Sequence, residues 1–513
     1  MSRINNVLKN ARVGLIFLPM TTLLTFISRQ IFIEHLGEDF VGLTSVLGNS
    51  LALLSVAELG LGVAVTSSLY KPLATNNKER IIEIVSLLGY FYKLIAYVGL
   101  VFGVAGSYFL LGIIEGTDIS YLDALTLLLC LLASVVIDYY FNYKQTIFNA
   151  DQRLYLIVKY TQLTNIFKLI IQIGALVYCE SILAWCFSII ITSVLNSILI
   201  NKAVRKYYSW LKIRKCNLNT LMSGNVELFR NIKQLFIHKI AGFVYSSSDT
   251  LLIYHFVNLT QVTLVANYQL IVTQIVLIYK TAFSGIHPSV GDFIAREDTE
   301  NIVRLFKELN SLRWMFATIC SICLYLLLDD FILIWLKGDF VLEASVKIMI
   351  IAIFFVTVIR STIDNFIIGY GLFSDTKAPI VEVLINIGIS VILGHFIGVA
   401  GVLLGTFISV FTVVYMWRSF YLYKKKFYIH NYKDYIYMLF KNLALLVSIT
   451  CLSFVAFSSL LNLTHESFLL FLQNSVIVFL GTTFITVLIN YAFDLNSRGV
   501  INRILFKIVK RNH

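Results

Sequence analysis

The sequence predicts an all-α polytopic membrane protein. It comprises about fourteen transmembrane helices, set as two six-helix lobes plus two C-terminal helices, with both termini cytoplasmic. Three observations carry this prediction. The first is composition: of 513 residues, 58% are apolar and 14% charged. Soluble domains carry about 45–50% apolar and about 25% charged residues. The second is a series of apolar runs, each long enough for the roughly 20 residues that a hydrocarbon span requires. The third is the alternation of charge between successive loops.

The runs fall at 13–33, 41–69, 90–114, 121–142, 155–178, 181–201, 232–256, 260–283, 312–336, 344–372, 378–397, 400–421, 436–461 and 467–493. The third is preceded by a charged amphipathic stretch, Asn77 to Leu88, expected to lie at the interface before the chain enters the bilayer. The first run is too long for a signal-peptide core and has no small-residue cleavage site, so it reads as a retained span.

Loop charges support the even count. One set of loops holds Arg3, Lys9 and Arg12, then Lys71, Lys78 and Arg80, then Lys144 and Arg153. It continues through the basic stretch Lys202 to Arg230, through Arg296, Arg304 and Lys307, and through Lys377. It ends with Arg418 to Lys433 and the tail from Arg498 to Arg511. The opposite set holds Glu34, Glu38, Asp39, Glu115, Asp118, Glu180, Asp329, Asp330, Asp339 and Glu466, with Lys337 as its one mid-loop cation. Basic loops stay on the cytoplasmic side. Adding or removing one span would invert everything downstream. Most of the net charge of +12 is therefore topology, and nucleic acid is not an expected partner.

Four segments follow. Residues 1–203 form an N-terminal six-helix lobe and 204–230 a cytoplasmic amphipathic linker. Residues 231–422 form a second six-helix lobe, and 423–513 hold the last two helices and a basic tail. A weak parallel repeat relates the lobes. Ser28 to His35 and Ser248 to His255 share the pattern Ser, charge, polar, three apolar, polar, His. The second run closes on Lys71-Pro72 and the eighth on His287-Pro288.

Two stretches carry a family likeness: Arg29 to Leu43 (RQIFIEHLGEDFVGL), and Leu54 to Val65 (LSVAELGLGVAV) followed by Leu69 to Ala74 (LYKPLA). They resemble the N-terminal region of Wzx-type polysaccharide flippases, of the multidrug/oligosaccharidyl-lipid/polysaccharide exporter superfamily. The motif match covers the first two spans. The resemblance implies two lobes around a central cavity and alternating access. It also implies export of a polyprenyl-diphosphate-linked oligosaccharide, on an undecaprenyl carrier, from the inner to the outer leaflet of a bacterial inner membrane. O-antigen (lipopolysaccharide), capsule or exopolysaccharide synthesis would be served, with a polysaccharide polymerase and a chain-length regulator as partners.

Ionisable residues at membrane depth cost a few kcal/mol and normally face a cavity or a partner. Arg29, Lys168, Lys239 and Arg360 are the basic ones, candidates to bind a diphosphate and acidic sugars. Lys168 lies near the middle of its span, too deep to snorkel easily. Arg29 and Lys239 are also placed to snorkel outward and inward. Arg360 and Asp364, four residues apart, are also placed to pair with each other. Glu58, Asp138, Asp249 and Asp364 are the acids, either sites for a coupling H⁺ or Na⁺ or counter-ions to the basic set. Glu58 is equally a packing residue beside Gly60 and Gly62. Pro19 interrupts the first span, as a hinge or a static kink. Most of the 28 tyrosines and 39 phenylalanines should be packing or interfacial, with some tyrosines available to stack on sugar rings.

The seven cysteines are scattered, most of them inside apolar runs, and Cys320 and Cys323 sit mid-span, where neither metal nor redox chemistry is expected. No catalytic signature and no cofactor motif occurs, so the chain reads as a transporter and not an enzyme. Two other classes compete. A multidrug antiporter of the same superfamily would favour an acidic cavity. A membrane polysaccharide polymerase would need a sizeable external loop, which is missing here.

Overall fold

The computed structural model describes residues 2–151, 153–213, 242, 247–283, 286–337, 340–372, 375, 377–428, 430–461 and 468–511. The secondary structure of the described residues is helical, with no strand. Ten helical stretches among them are long and apolar enough to cross a bilayer. The chain is a multi-pass membrane protein, and its contacts divide it into two units, Met1–Thr263 and Leu264–His513.

The first unit opens with α1, Ser2–Ala74. At about 1.5 Å per residue, 73 residues would reach about 110 Å, far beyond a bilayer core of about 30 Å. One residue resolves this. Gly37 adopts φ 78° and ψ 169°, outside the helical region, and turns the chain between the first two predicted spans. Such a conformation is essentially restricted to glycine. The two residues that follow the turn are tied down: Thr260 Oγ1 donates to Asp39 Oδ1 at 2.9 Å, and Thr263 Oγ1 to the Glu38 carbonyl at 2.6 Å.

Helix α2, Lys78–Gly106, starts at Asn77, whose Oδ1 accepts from the Arg80 amide at 3.0 Å. It runs without a break through Leu88, where an interfacial segment was expected to end. Ile81, Ile84, Val85, Leu87 and Leu88 are buried against Leu61, Val65 and Leu69 of α1 and against Tyr143 and Ile147. The apolar face of the 77–88 stretch therefore belongs to the protein core. Ser120 and Ser181 cap α3, Tyr121–Asn142, and α5, Ile182–Tyr207, each accepting an amide three residues on. Between them lies α4, Leu154–Val177. In this unit α1 packs on α2 and α4, and α3 on α2 and α5.

Helix α6, Leu259–Ala282, leads to the second unit, where the short α7, Ile286–Arg296, carries Pro288 in its first turn. Helix α8, Thr299–Leu336, is capped by Asp298 and packs against α9, Ala344–Gly369. Helix α10, Lys377–Ser409, breaks at Ile397 and at Gly398, which takes φ 57° and ψ −133°. That break separates the predicted runs 378–397 and 400–421. A π-helical turn, Val410–Trp417, continues into α11, Arg418–Lys426. Then come α12, Tyr432–Leu461, α13, Phe468–Phe493, and α14, Leu495–Arg511. Ile322 and Leu326 of α8 share a core with Ile449 and Phe457 of α12 and with Val478 and Ile489 of α13. The last two spans are thus integral to this unit. At its other end Phe306, Phe366, Tyr423, Phe427 and Tyr435 pack ring on ring, with centroids 5.2 Å apart for Phe306 and Phe366.

Candidate functional site

Of the predicted cations, Arg29 is on α1, before the turn at Gly37, and Lys168 is on α4. Both side chains are half-buried. Neither has a hydrogen-bond or ion-pair partner among the described residues. Each is a basic group in a membrane-spanning stretch with no counter-charge among the described residues. Lys239 and the side chain of Glu58 lie outside the described residues.

Asp138 of α3 faces a polar pocket of about 360 Å³ lined by Asn142, Gln145, Thr161 and Asn196. Its Oδ1 accepts from Asn142 Nδ2 at 2.8 Å and from Ser193 Oγ at 3.2 Å. Thr164 donates to Asn196 Oδ1 at 3.4 Å behind it. The carboxylate is held by donors yet remains open to the pocket, as a site for a small cation would be. Asp249 is buried next to Thr250, whose hydroxyl accepts from Asn49 Nδ2 at 3.3 Å. At Pro19 the backbone dihedrals stay helical, and the non-helical residue of α1 is Gly37.

In the second unit Arg360 and Asp364 lie on one face of α9, with Nε and Oδ2 3.9 Å apart. The shorter bond to Asp364 comes from Arg418 of α11, Nη1 to Oδ1 at 3.1 Å. Glu382 of α10 is buried within the electrostatic reach of both arginines. Arg313 of α8, 2% exposed, has Asp364 and Tyr279 as its electrostatic neighbours. Its Nε and Nη1 have no hydrogen-bond partner among the described residues. Tyr279 and Ser361 share a hydrogen bond of 2.5 Å. Three arginines thus meet two carboxylates within one unit. Beside them an almost wholly apolar groove of about 370 Å³ is lined by Trp314, Tyr325, Ile351, Phe355, Phe407 and Phe411, among others.

No protein-family model and no curated protein matches the chain. Solved structures do. A structure of the lipid II flippase MurJ in an inward closed conformation superposes with a TM-score of 0.66 at 17% identity, over 93% of this chain and 98% of that one. An inward-facing multidrug resistance MATE family transporter of the MOP superfamily gives 0.56 at 16% identity, over 80% and 98%. A MOP superfamily transporter from Pyrococcus furiosus, with a binding pocket of reverse polarity, gives 0.52 at 12% identity, over 81% and 95%.

The chain has the MOP transporter fold. Within it, the sequence missed several charged groups. Arg313 stands at the edge of an apolar run and reads as a flank, yet α8 begins at Thr299 and Arg313 lies about four turns inside it. Arg418 reads as a loop cation until α11 places it on Asp364. Lys347, 8% exposed, forms an ion pair with Asp329, and that carboxylate also accepts from Tyr268 Oη at 2.6 Å. In this MOP fold Lys347 is a neutralised structural cation. Arg29 and Lys168 differ from it in having no such carboxylate among the described residues.

Proposed function

We propose that this MOP-fold protein is a Wzx-type flippase. It moves a polyprenyl-diphosphate-linked oligosaccharide from the inner to the outer leaflet of a bacterial inner membrane by alternating access. The observation that carries the reading is Arg29 and Lys168, two cations in membrane-spanning stretches that have no counter-charge among the described residues. Keeping such charges in a membrane span costs a few kcal/mol each. An anionic substrate that supplies the counter-charge accounts for them, and a diphosphate suits both the guanidinium and the ammonium.

The fold shared with a lipid II flippase supports a lipid-linked substrate. The apolar groove in the second unit offers a wall for an isoprenoid chain. Arg313 adds a cation with two donor nitrogens that have no partner among the described residues, and Lys239 and Arg360 complete the basic set. The acids Asp138, Asp249, Glu58 and Asp364 are the candidate sites for a coupling H⁺ or Na⁺, with Asp138 more accessible than Asp249 or Asp364. Segments 1–203 and 231–422 act as the rocking lobes, 204–230 as their linker and 423–513 as the appended helices. Pro19 is a hinge candidate. O-antigen, capsule or exopolysaccharide synthesis is the pathway class, with a polymerase and a chain-length regulator downstream.

Deletion of the gene in its host tests this. The expected result is oligosaccharide accumulating on the carrier lipid inside the cell, with loss of surface polysaccharide. Exported but unpolymerised glycan would identify a polymerase instead. Unchanged glycan together with new sensitivity to cationic drugs would identify an antiporter.

A further inference from the structure

We propose that the first unit carries a binding site for the phosphate headgroup of an anionic phospholipid of the cytoplasmic leaflet, separate from the residues assigned to transport above. The site is an open groove of about 570 Å³ between α2, α3 and α5. Four cations line it: Lys93 from α2, Lys144 just beyond α3, and Lys202 and Arg205 from α5. None of its described lining residues is acidic.

The chemistry of the groove is that of an anion cradle. Lys93 and Arg205 act electrostatically on Lys144, so three like charges are concentrated with no carboxylate between them. Lys93 Nζ is held 4.9 Å from the centre of the Tyr140 ring, which fixes the ammonium without neutralising it. Asn201 braces the wall by donating to the Phe141 carbonyl at 3.0 Å and the Ser197 carbonyl at 2.8 Å. Ser197 itself is 5% exposed, and its hydroxyl has no partner among the described residues. A phosphate entering the groove supplies the missing counter-charge and an acceptor for that hydroxyl.

The surroundings favour a lipid over a free anion. Phe141, Val194 and Ile198, all lining residues, are 50%, 40% and 54% exposed. Val194 and Ile198 are one helical turn apart on α5 and continue from the cations away from its C-terminus. They offer acyl chains an apolar track above the headgroup. Loop charges put these helix ends on the cytoplasmic side, where anionic lipids and basic inter-helical pockets meet.

Native mass spectrometry of the full-length protein in detergent, titrated with phosphatidylglycerol or phosphatidylcholine, tests the site. The expected result is one phosphatidylglycerol retained about tenfold better than phosphatidylcholine. The combined variant Lys93→Gln/Lys144→Gln/Arg205→Gln should bring the two lipids within about twofold. Lys144→Arg/Lys202→Arg should keep the preference, as should Lys424→Gln, which is outside the groove. Lys202→Glu, at an exposed position, gives an independent reading and should weaken phosphatidylglycerol by about fivefold or more. No preference in the unaltered protein, or an undiminished preference in both the combined variant and Lys202→Glu, overturns the proposal. Displacement of the lipid by inorganic phosphate at equal concentration assigns the groove to free anions and also overturns it.

Discussion

Arg418 Nη1 donates to Asp364 Oδ1 at 3.1 Å from a different helix, while Arg360, on Asp364's own helix, stands 3.9 Å away. The i,i+4 spacing read from the sequence therefore names the lesser partner. The stronger bond links α9 to α11 and helps hold the end of the π-helical turn in place.

Asp364→Ala should lower the stability of the purified protein by about 1.5–3 kcal/mol, the range for a hydrogen bond to a charged group. Asp364→Ala/Arg418→Ala should cost less than the sum of the single changes by about 1 kcal/mol or more. Thermal unfolding in detergent measures both. Strict additivity would show that the bond contributes nothing.

Lys168→Met should separate stability from transport. It removes a cation that has no counter-charge among the described residues from a spanning helix, so thermal stability should stay level or rise, by up to about 3 kcal/mol. Surface polysaccharide in the complemented deletion strain should be lost while the protein level in the membrane is unchanged. A drop in stability with transport intact would make Lys168 a structural residue.

Gly37→Ala should destabilise by about 1–3 kcal/mol. An added Cβ meets no atom within 4 Å, so the cost is conformational, set by φ 78° and ψ 169°. Gly48→Ala, in an equally open position on the same helix but at an ordinary dihedral, should be neutral or slightly stabilising. Equal unfolding temperatures for the two variants would contradict this account of the turn.

Much of the fold is legible in the sequence because hydrocarbon imposes a length and loops impose a sign. The break at Ile397 and Gly398 falls between two predicted runs, and the turn at Gly37 falls between the first two. Helix continuity and burial were less legible. The 77–88 stretch has the amphipathic pattern of an interfacial helix, but an apolar face fits a protein core as well as a bilayer surface. Its partners, Tyr143 and Ile147, are distant in sequence. The candidate site was legible at Lys168 and Arg29, where a charge interrupts a long apolar run. It was not legible at Arg313, where the run's edge disguises depth, or at Lys347, whose neutralising Asp329 is read as a loop acid.

Asp494, at the start of α14, gives the fold a pH dependence. Burial acts to raise its carboxyl, but hydrogen bonds from Lys441, Ser497 and Ser311 outweigh that and hold it below the ordinary carboxylate value. A carboxyl depressed in the folded state stabilises above its unfolded value of about 3.9, and that stability is lost as pH falls through the folded value. Asp494→Asn should therefore lower the unfolding temperature most near neutral pH, and the gap should close on acidification below about pH 4. A gap that is constant with pH would contradict the assignment.

The central claim is that Arg29 and Lys168, cations in membrane-spanning helices, bind the anionic carrier of a lipid-linked oligosaccharide. The most direct measurement is flipping of a fluorescent polyprenyl-diphosphate oligosaccharide in proteoliposomes of the purified protein, beside Arg29→Ala and Lys168→Ala. The account predicts transfer between leaflets by the unaltered protein and a loss of roughly tenfold or more in each variant, as removal of one charged substrate contact implies. Full transfer by both variants, or none by the stable unaltered protein under H⁺ and Na⁺ gradients of either direction, would contradict it.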